Sequence, residues 1–256
     1  MRRAGLAVSI VLVLVAGIAA SQLRGAGGSP MATKPDGVFS QDSVVEPAYE
    51  IGAPTAAAKP TAMWTPLRRP AVARAAPRPS AQAASMLSAR THDGTTMIVQ
   101  VLERTRGWLL VRYPSSSNDG SGWIRRSTAG PVQTVDTRLV VDRARFTLTL
   151  ERAGHAVFRA PVGVGTPSTP TPAGSFYILD RLVRFRSPTY GPVAFGTSGR
   201  SPQLTDWPGG GVVGIHGTDQ PELIPGRVSH GCIRLRNADI LRLARMLPIG
   251  TPVEIR

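Results

Sequence analysis

The most reactive side chains of this chain lie close together near its C-terminal end. Cys232 is the only cysteine in 256 residues, and it follows His216 by 16 positions and His230 by two. An imidazole can accept the proton of a thiol, and the thiolate then attacks a carbonyl carbon. Because two strands can bring His216 beside Cys232, the spacing predicts acyl transfer through Cys232. We also expect a neighbouring imidazolium to lower the thiol pKa and supply thiolate near neutral pH.

Other chemistries use the same residue types. His216, His230 and Cys232 could bind zinc, but structural zinc sites draw four ligands from paired clusters and no fourth ligand is evident. Cys232 could also be an inert core residue, although the density of Gly, Ser and His around it argues against this. We therefore predict an enzyme with no metal and no cofactor. A cysteine hydrolase, in which water resolves the acyl-enzyme, is the alternative reaction.

The residues around Cys232 resemble the active-site signature of the L,D-transpeptidase (YkuD) family, bacterial enzymes that cross-link peptidoglycan through a catalytic cysteine. The matching residues are His-Gly-Thr at 216–218 and Val-Ser-His-Gly-Cys-Ile-Arg-Leu at 228–235. Upstream, the segments 163–165 and 171–176 resemble a strand and a turn of that family. The resemblance covers roughly the last half of the chain. It implies that His216 is the base and that His230 assists near the oxyanion site.

Four further residues complete the predicted site around the nucleophile. We expect the backbone N–H groups of Gly231 and Cys232 to bind the tetrahedral oxyanion. Ser229 is expected to orient a histidine, and Gly217 has a supporting role. Arg234 lies two residues after Cys232, on the same side of a strand, where it could pair with a substrate carboxylate.

Two long irregular segments, at 182–189 and 196–211, are rich in Gly, Pro and Arg. Long loops in a compact β domain are usually lids or binding loops. We assign Tyr190, directly after the first loop, and Trp207, within the second, to substrate binding.

The resemblance also implies the substrate. A tetrapeptide stem of peptidoglycan would donate its acyl group and release a terminal D-alanine, and the side-chain amine of a neighbouring stem would accept it in a 3→3 cross-link. Carbapenems are expected to acylate the same thiol. An L,D-carboxypeptidase or a ligase that attaches proteins to the wall would use the same acyl-enzyme. A wall-binding protein without enzymatic activity is the alternative from another class, and it predicts an unreactive thiol.

The regions that precede the site divide by composition. Residues 1–24 combine Arg2 and Arg3 with an apolar run at 6–20, which predicts a signal peptide or signal anchor and an exported protein in the periplasm or cell wall. Residues 25–85 are rich in Ala and Pro without a persistent period, and we expect a disordered spacer. Contact with the membrane is expected only through the N-terminal segment.

Short apolar alternations between 86 and 131 predict three or four strands of a small barrel. Two Gly-Trp strand starts, which carry Trp108 and Trp123, resemble bacterial SH3-like wall modules. These tryptophans could line a glycan or peptide groove, but filling a small core is the favoured interpretation.

Regular strands follow from residue 132 to 256, and Asn237 is expected to cap the one persuasive helix. The predicted fold is therefore mainly β, with a small SH3-like barrel followed by an L,D-transpeptidase β-sandwich that carries one amphipathic helix.

The charge of the chain argues against one class of partner. The formal net charge is +14, but the 30 Lys and Arg residues are spread along the sequence. Nucleic-acid binders concentrate basic residues on one face or arm, so we predict no nucleic-acid partner.

Overall fold

A computed structural model of the chain describes residues 61–183, 188–204 and 211–256. Within these ranges the protein is mainly β, as predicted, with seventeen strands in two sheets and one α-helix. No helix in the described ranges is long and apolar enough to cross a membrane. The predicted signal segment 1–24 lies outside the described residues.

The N-terminal sheet has seven strands in the order β3-β2-β6-β5-β4-β1-β7. Its core contains Val99, Leu109, Val111 and Ile124, which project from the central strands. The strands are β1 Ala62–Pro66, β2 Ala71–Arg74, β3 Ala83–Leu87, β4 Ile98–Thr105, β5 Trp108–Arg112, β6 Ser121–Arg125 and β7 Gln133–Val135.

This sheet corrects two predictions. The spacer was predicted to extend to residue 85, but β1, β2 and part of β3 lie before that point, so the prediction is wrong for residues 62–85. Residues 25–60 of the predicted spacer lie outside the described residues. The module is also larger than the predicted range 86–131, because β1 pairs with both β4 and β7. Buried alanines such as Ala71 and Ala73 explain the error, since small residues give little hydrophobic signal in a sequence. The SH3-like resemblance is not confirmed.

The two tryptophans of this sheet differ in exposure. Trp108 is buried, and the guanidinium of Arg125 lies 4.4 Å from its ring centroid, which agrees with the favoured core interpretation. Trp123 is only partly buried on β6. Because Trp108 is buried, the two tryptophans do not line one groove together.

The C-terminal sheet has ten strands in the order β10-β9-β8-β17-β12-β13-β14-β16-β11-β15. The sequence did not predict the full number of strands in this sheet, because the short strands near Cys232 show no alternation of apolar and polar residues. The ten strands are β8 Thr137–Asp142, β9 Thr147–Arg152, β10 His155–Pro161, β11 Gly163–Gly165, β12 Gly174–Val183, β13 Val193–Arg200, β14 Val212–His216, β15 Gly226–Ser229, β16 Ile233–Arg234 and β17 Pro252–Ile255.

The helix α1, Asn237–Ala244, packs its apolar side against the C-terminal sheet. Ile240 and Leu243 are fully buried in the same core as Phe195 and Ile233. Asp239 lies in the first turn, where a negative charge favours the helix N-terminus. Along the chain, α1 begins shortly after β16, the strand that follows Cys232, so the start of the helix lies close to the candidate nucleophile in sequence.

The two sheets meet along β12. The Tyr177 hydroxyl donates to the carbonyl of Ile98 at 3.1 Å, and Thr95 Oγ1 donates to Asp180 Oδ2 at 2.9 Å. Trp64 joins Tyr177 in a buried apolar cluster at this junction. The N-terminal sheet is therefore fixed to the C-terminal sheet by both apolar and polar contacts.

Candidate active site

Parallel pairing of β14 and β16 sets the position of Cys232. Ile215 pairs with Ile233 and His216 pairs with Arg234, so Cys232 lies opposite Gly214. The Gly214 N–H donates to Cys232 Sγ at 3.4 Å. Cys232 is the last residue of the turn 229–232, which connects β15 to β16, and its side chain is partly exposed. Cys232 is therefore neither fully enclosed in the core nor fully open to solvent.

His216 is held beside the sulfur in one orientation. Its side chain is 2% exposed, and Nδ1 lies 2.6 Å from the carbonyl oxygen of Gly217. A carbonyl only accepts hydrogen bonds, so Nδ1 carries the proton and Nε2 is left as the acceptor. A Cβ on Gly214 would lie 3.6 Å from Cys232 Sγ and 3.7 Å from His216 Cδ2, so both side chains flank one point. This geometry places the imidazole and the thiol in the same neighbourhood, next to Gly214.

Both groups rest in their neutral forms, which differs from the expected thiolate. Burial raises the pKa of the Cys232 thiol, although the Gly214 N–H and the charge of Arg234 act in the opposite direction. Burial lowers the pKa of His216 to about 4, while its hydrogen bond to Gly217 opposes that shift. A preformed imidazolium is therefore absent at neutral pH, because desolvation disfavours charge on either partner. In this state, the thiol must lose its proton before or during any attack by the sulfur.

Ser229 and Gly231 have other partners than predicted. Ser229 Oγ donates to the Cys232 carbonyl at 2.6 Å and accepts from the Gly231 N–H at 3.1 Å. Ser229 thus braces the turn 229–232 and orients no histidine through these bonds. The Gly231 N–H is engaged by the hydroxyl, which removes it as a free oxyanion donor in this state. Gly231 has φ +117°, a conformation that side chains rarely adopt.

Thr171 is a site residue that the sequence reasoning did not identify. Its buried hydroxyl accepts from the Gly165 N–H and donates to the Gly231 carbonyl, at 2.9 Å each. In a trans peptide the N–H points opposite to the carbonyl, so this bond aims the Cys232 N–H away from Thr171. The fold thus sets the direction of the Cys232 N–H, the second predicted oxyanion donor, whose role stays a prediction. The segment Thr-Pro-Thr-Pro at 169–172 was the available signal.

Asn237 also contributes to the site in an unexpected way. The N-cap position of α1 is Arg236 and has no side-chain cap, so the predicted capping by Asn237 is wrong. Its Oδ1 instead accepts from the Thr218 N–H at 2.9 Å. A Cβ on Gly217 would lie 2.3 Å from that same oxygen, so only glycine fits there. The helix start therefore fixes the backbone whose carbonyl orients His216.

Two predicted substrate-binding residues lie at the site. The Tyr190 ring packs on His216 with centroids 4.6 Å apart, and burial raises the pKa of Tyr190 to about 12. Arg234 donates to Gln220 Oε1 at 3.4 Å, while its buried Nε has no hydrogen-bond partner among the described residues. Contact with substrate stays a prediction for both residues.

The last two predicted site residues are His230, which is exposed, and Trp207, which lies outside the described ranges. His230 is exposed within the turn 229–232, and its supporting role stays a prediction. Trp207 lies outside the described residues, so its predicted role is not tested.

Comparison with known proteins gives a consistent result for the C-terminal sheet. Residues 136–255 match the family model described as the L,D-transpeptidase catalytic domain (YkuD). The chain is 38% identical over 122 residues to YkuD of Bacillus subtilis (strain 168), covering 48% of this chain and 67% of that protein. It is 27% identical over 174 residues to L,D-transpeptidase 1 of Mycobacterium tuberculosis, covering 64% and 68%.

Solved structures give a weaker likeness. The catalytic domain of an E. faecium L,D-transpeptidase is 29% identical with a TM-score of 0.37, and the alignment covers 47% of this chain and 97% of that domain.

Proposed function

Since this chain belongs to the L,D-transpeptidase (YkuD) family, we propose that it cross-links peptidoglycan stem peptides by acyl transfer through Cys232. The observation that carries this proposal is that Cys232 Sγ and His216 Cδ2 both lie within 3.7 Å of one point beside Gly214, with His216 Nδ1 bound to the Gly217 carbonyl. A thiol that is partly exposed and adjacent to an imidazole acceptor has the minimum requirements of a cysteine acyltransferase.

The first proposed step forms a thioester. Cys232 Sγ attacks the carbonyl that precedes the terminal residue of a donor stem, while the thiol proton passes to His216 Nε2. The Cys232 N–H binds the developing oxyanion, and a well-placed donor of this kind contributes about 3 kcal/mol. The tetrahedral intermediate then collapses, His216 returns the proton to the leaving amine, and D-alanine departs.

The second proposed step resolves the thioester. A side-chain amine of a neighbouring stem attacks the thioester carbonyl, His216 accepts its proton, and the sulfur leaves with a proton as the free thiol. The product is a 3→3 cross-link between two stems. We propose that the unpaired Nε of Arg234 binds a carboxylate of one stem, because charge-assisted hydrogen bonds to carboxylates are strong.

The proposed location is outside the cytoplasmic membrane. Arg2 and Arg3 followed by the apolar run at 6–20 support export, since this order is typical of secretory signals. Cell fractionation of the full chain should place it in the envelope fraction. Recovery in the cytoplasm alone would contradict this part of the proposal.

Product analysis tests the proposed reaction. The protein with a disaccharide tetrapeptide as donor and acceptor should release D-alanine and form dimers, detected by mass spectrometry. Cys232→Ala should do neither. Release of D-alanine with tripeptide as the only product would identify water as the acceptor and favour an L,D-carboxypeptidase.

A carbapenem should also bind covalently. Thiolate attack opens the strained ring and leaves a thioester of one drug mass on Cys232, and cross-linking should stop in proportion. Absence of both adduct and product would instead favour the wall-binding alternative.

A further inference from the structure

The loop between β5 and β6, residues 113–120, is folded on itself in the N-terminal sheet. The Tyr113 N–H donates to the Gly120 carbonyl at 2.9 Å, and the Gly120 N–H donates to Ser115 Oγ at 2.9 Å. Asn118 has φ +65°, and its N–H donates to the Ser115 carbonyl at 3.2 Å. Asn tolerates this left-handed conformation better than most residues. The loop therefore holds Asn118 in one defined position.

Asn118 binds the backbone of the C-terminal sheet at Arg200, the last residue of β13. Its Nδ2 donates to the Arg200 carbonyl at 2.8 Å, and its Oδ1 accepts from the Arg200 N–H at 2.7 Å. One amide thus satisfies both backbone groups of Arg200, as a neighbouring strand would. The conformation of the chain after β13 therefore depends on a residue of the other sheet.

The residue that follows this clamp lies against the catalytic turn. Ser201 is buried, and its N–H donates to the Gly211 carbonyl at 2.8 Å. A Cβ on Gly231 would lie 3.9 Å from Ser201 Cβ. The same turn is held by Thr171 through the Gly231 carbonyl. The turn 229–232 is accordingly contacted at Gly231 by both Thr171 and Ser201.

From this chain of contacts we propose that Asn118 is a positioning residue of the active site. By fixing Arg200, it sets the distance of Ser201 from the turn 229–232 and hence the direction of the Cys232 N–H and thiol. The N-terminal sheet is then part of the catalytic unit. Docking of the sheets does not require Asn118, because Tyr177, Thr95 and Trp64 join them elsewhere. A test of this role by the rate of cross-linking rests on the proposed function, whereas a test by the chemical reactivity of the Cys232 thiol does not.

A matched pair of variants tests this role. Asn118→Gly keeps the left-handed conformation without strain and removes both hydrogen bonds to Arg200. Thr95→Val is nearly isosteric and removes the hydrogen bonds of the Thr95 hydroxyl to Asp180, at the same junction, and to Thr91. We expect Asn118→Gly to lower kcat for cross-linking about tenfold with KM within about twofold, because small displacements of reacting groups are costly. Thr95→Val should leave kcat within about twofold of the wild type.

Two further measurements separate positioning from loss of stability. The Tm of Asn118→Gly should be no lower than that of Thr95→Val. The rate at which iodoacetamide alkylates Cys232, measured by intact mass, should differ at least about threefold between Asn118→Gly and each of the other two proteins, the wild type and Thr95→Val. Asn118→Asp keeps the acceptor for the Arg200 N–H and should recover part of kcat.

The outcomes are distinguishable. If the wild type forms no cross-link and no carbapenem adduct, the proposed function fails, and the alkylation rates still decide the role of Asn118. If Asn118→Gly and Thr95→Val match in both kcat and alkylation, the positioning role is refuted.

Discussion

The edge of the C-terminal sheet that carries Cys232 and the centre of the N-terminal sheet hold their backbones in different ways. At the edge, β11, β15 and β16 have only two to four residues, and hydroxyl or amide side chains bind the intervening backbone. The N-terminal sheet contains longer pairs, such as β4 with β5, and a core of buried aliphatic residues. Cys232 thus lies where side-chain hydrogen bonds, and not long strand pairs, hold the backbone. Polar substitutions at the edge should reduce activity, whereas substitutions at regular pairs should reduce stability.

The two histidines of the edge should give the largest difference. His216→Gln removes the proposed proton acceptor, and loss of a general base typically costs 10²- to 10⁴-fold, so we expect kcat to fall about 10³-fold. His230→Gln should cost at most about tenfold, because His230 is exposed on the turn. Steady-state cross-linking measured by product mass compares the two variants. A larger loss in His230→Gln would reverse the assignment of the base.

A comparison of Thr171 with Thr137 tests the importance of side-chain hydrogen bonds at the turn. Thr171 binds the turn 229–232, whereas Thr137 lies in the regular strand β8. Thr171→Val leaves the Gly165 N–H and the Gly231 carbonyl without this partner, and we expect kcat to fall about 10²-fold as the Cys232 N–H loses its direction. Thr171→Ser restores the hydroxyl and should recover most of the rate. Thr137→Val removes a buried hydroxyl pair with Thr251 at 2.7 Å, far from the turn along the sequence.

The expected contrast between these variants is specific. Thr137→Val should lower Tm with kcat nearly unchanged, and Thr171→Val should lower kcat by more than its change in Tm explains. Equal effects on kcat would show that bracing at the turn has no special importance.

The smallest predicted effect is a pH-dependent stability at the junction of the two sheets. Burial raises the pKa of Asp180 to about 6, while the hydrogen bond from Thr95 opposes that shift. The folded state therefore binds a proton more tightly than the unfolded state does. A raised carboxyl pKa means that stability is lost as pH rises from about 4 to above about 6. Asp180→Asn should be more stable than the wild type by roughly 2 kcal/mol at pH 7.

The difference between these two proteins should shrink as pH falls and should largely disappear only below about pH 4, where Asp180 is protonated in the unfolded state as well. His216 has the opposite sign, because its pKa is lowered and stability falls as pH drops below its ordinary value of 6.5. That contribution is common to both proteins and cancels in the comparison. Urea unfolding at several pH values provides the measurement. A constant difference between pH 5 and pH 7 would contradict the assigned pKa.

Residue types at the edge were sufficient to propose a candidate site from the sequence alone. His216 and Cys232 are rare and reactive, so their presence in one short region indicated a site without any knowledge of the fold. The regular strands β8 to β10 were predicted because alternating burial leaves a clear pattern in the sequence. The helix α1 was predicted from its apolar face.

Other features depend on contacts that no local pattern encodes. The partner of Asn237 is a backbone N–H 19 positions earlier, and Thr171 binds a carbonyl 60 positions later. Ala71 and Ala73 are buried by pairing with distant strands and not by their own hydrophobicity. The protonation states were also mispredicted, because desolvation depends on the enclosure of His216 and Cys232 in three dimensions.

The central claim is that folding places a neutral thiol beside a neutral imidazole, with proton transfer coupled to attack. The pH dependence of Cys232 alkylation by iodoacetamide, followed by intact mass with Cys232→Ala as the blank, tests it most directly. Because burial raises the thiol pKa above its ordinary value of 9.0, the rate should be low at pH 5 to 8 and should still increase above pH 9. A rate that is already high and constant between pH 5 and pH 8 would demonstrate a thiolate–imidazolium pair and contradict the account.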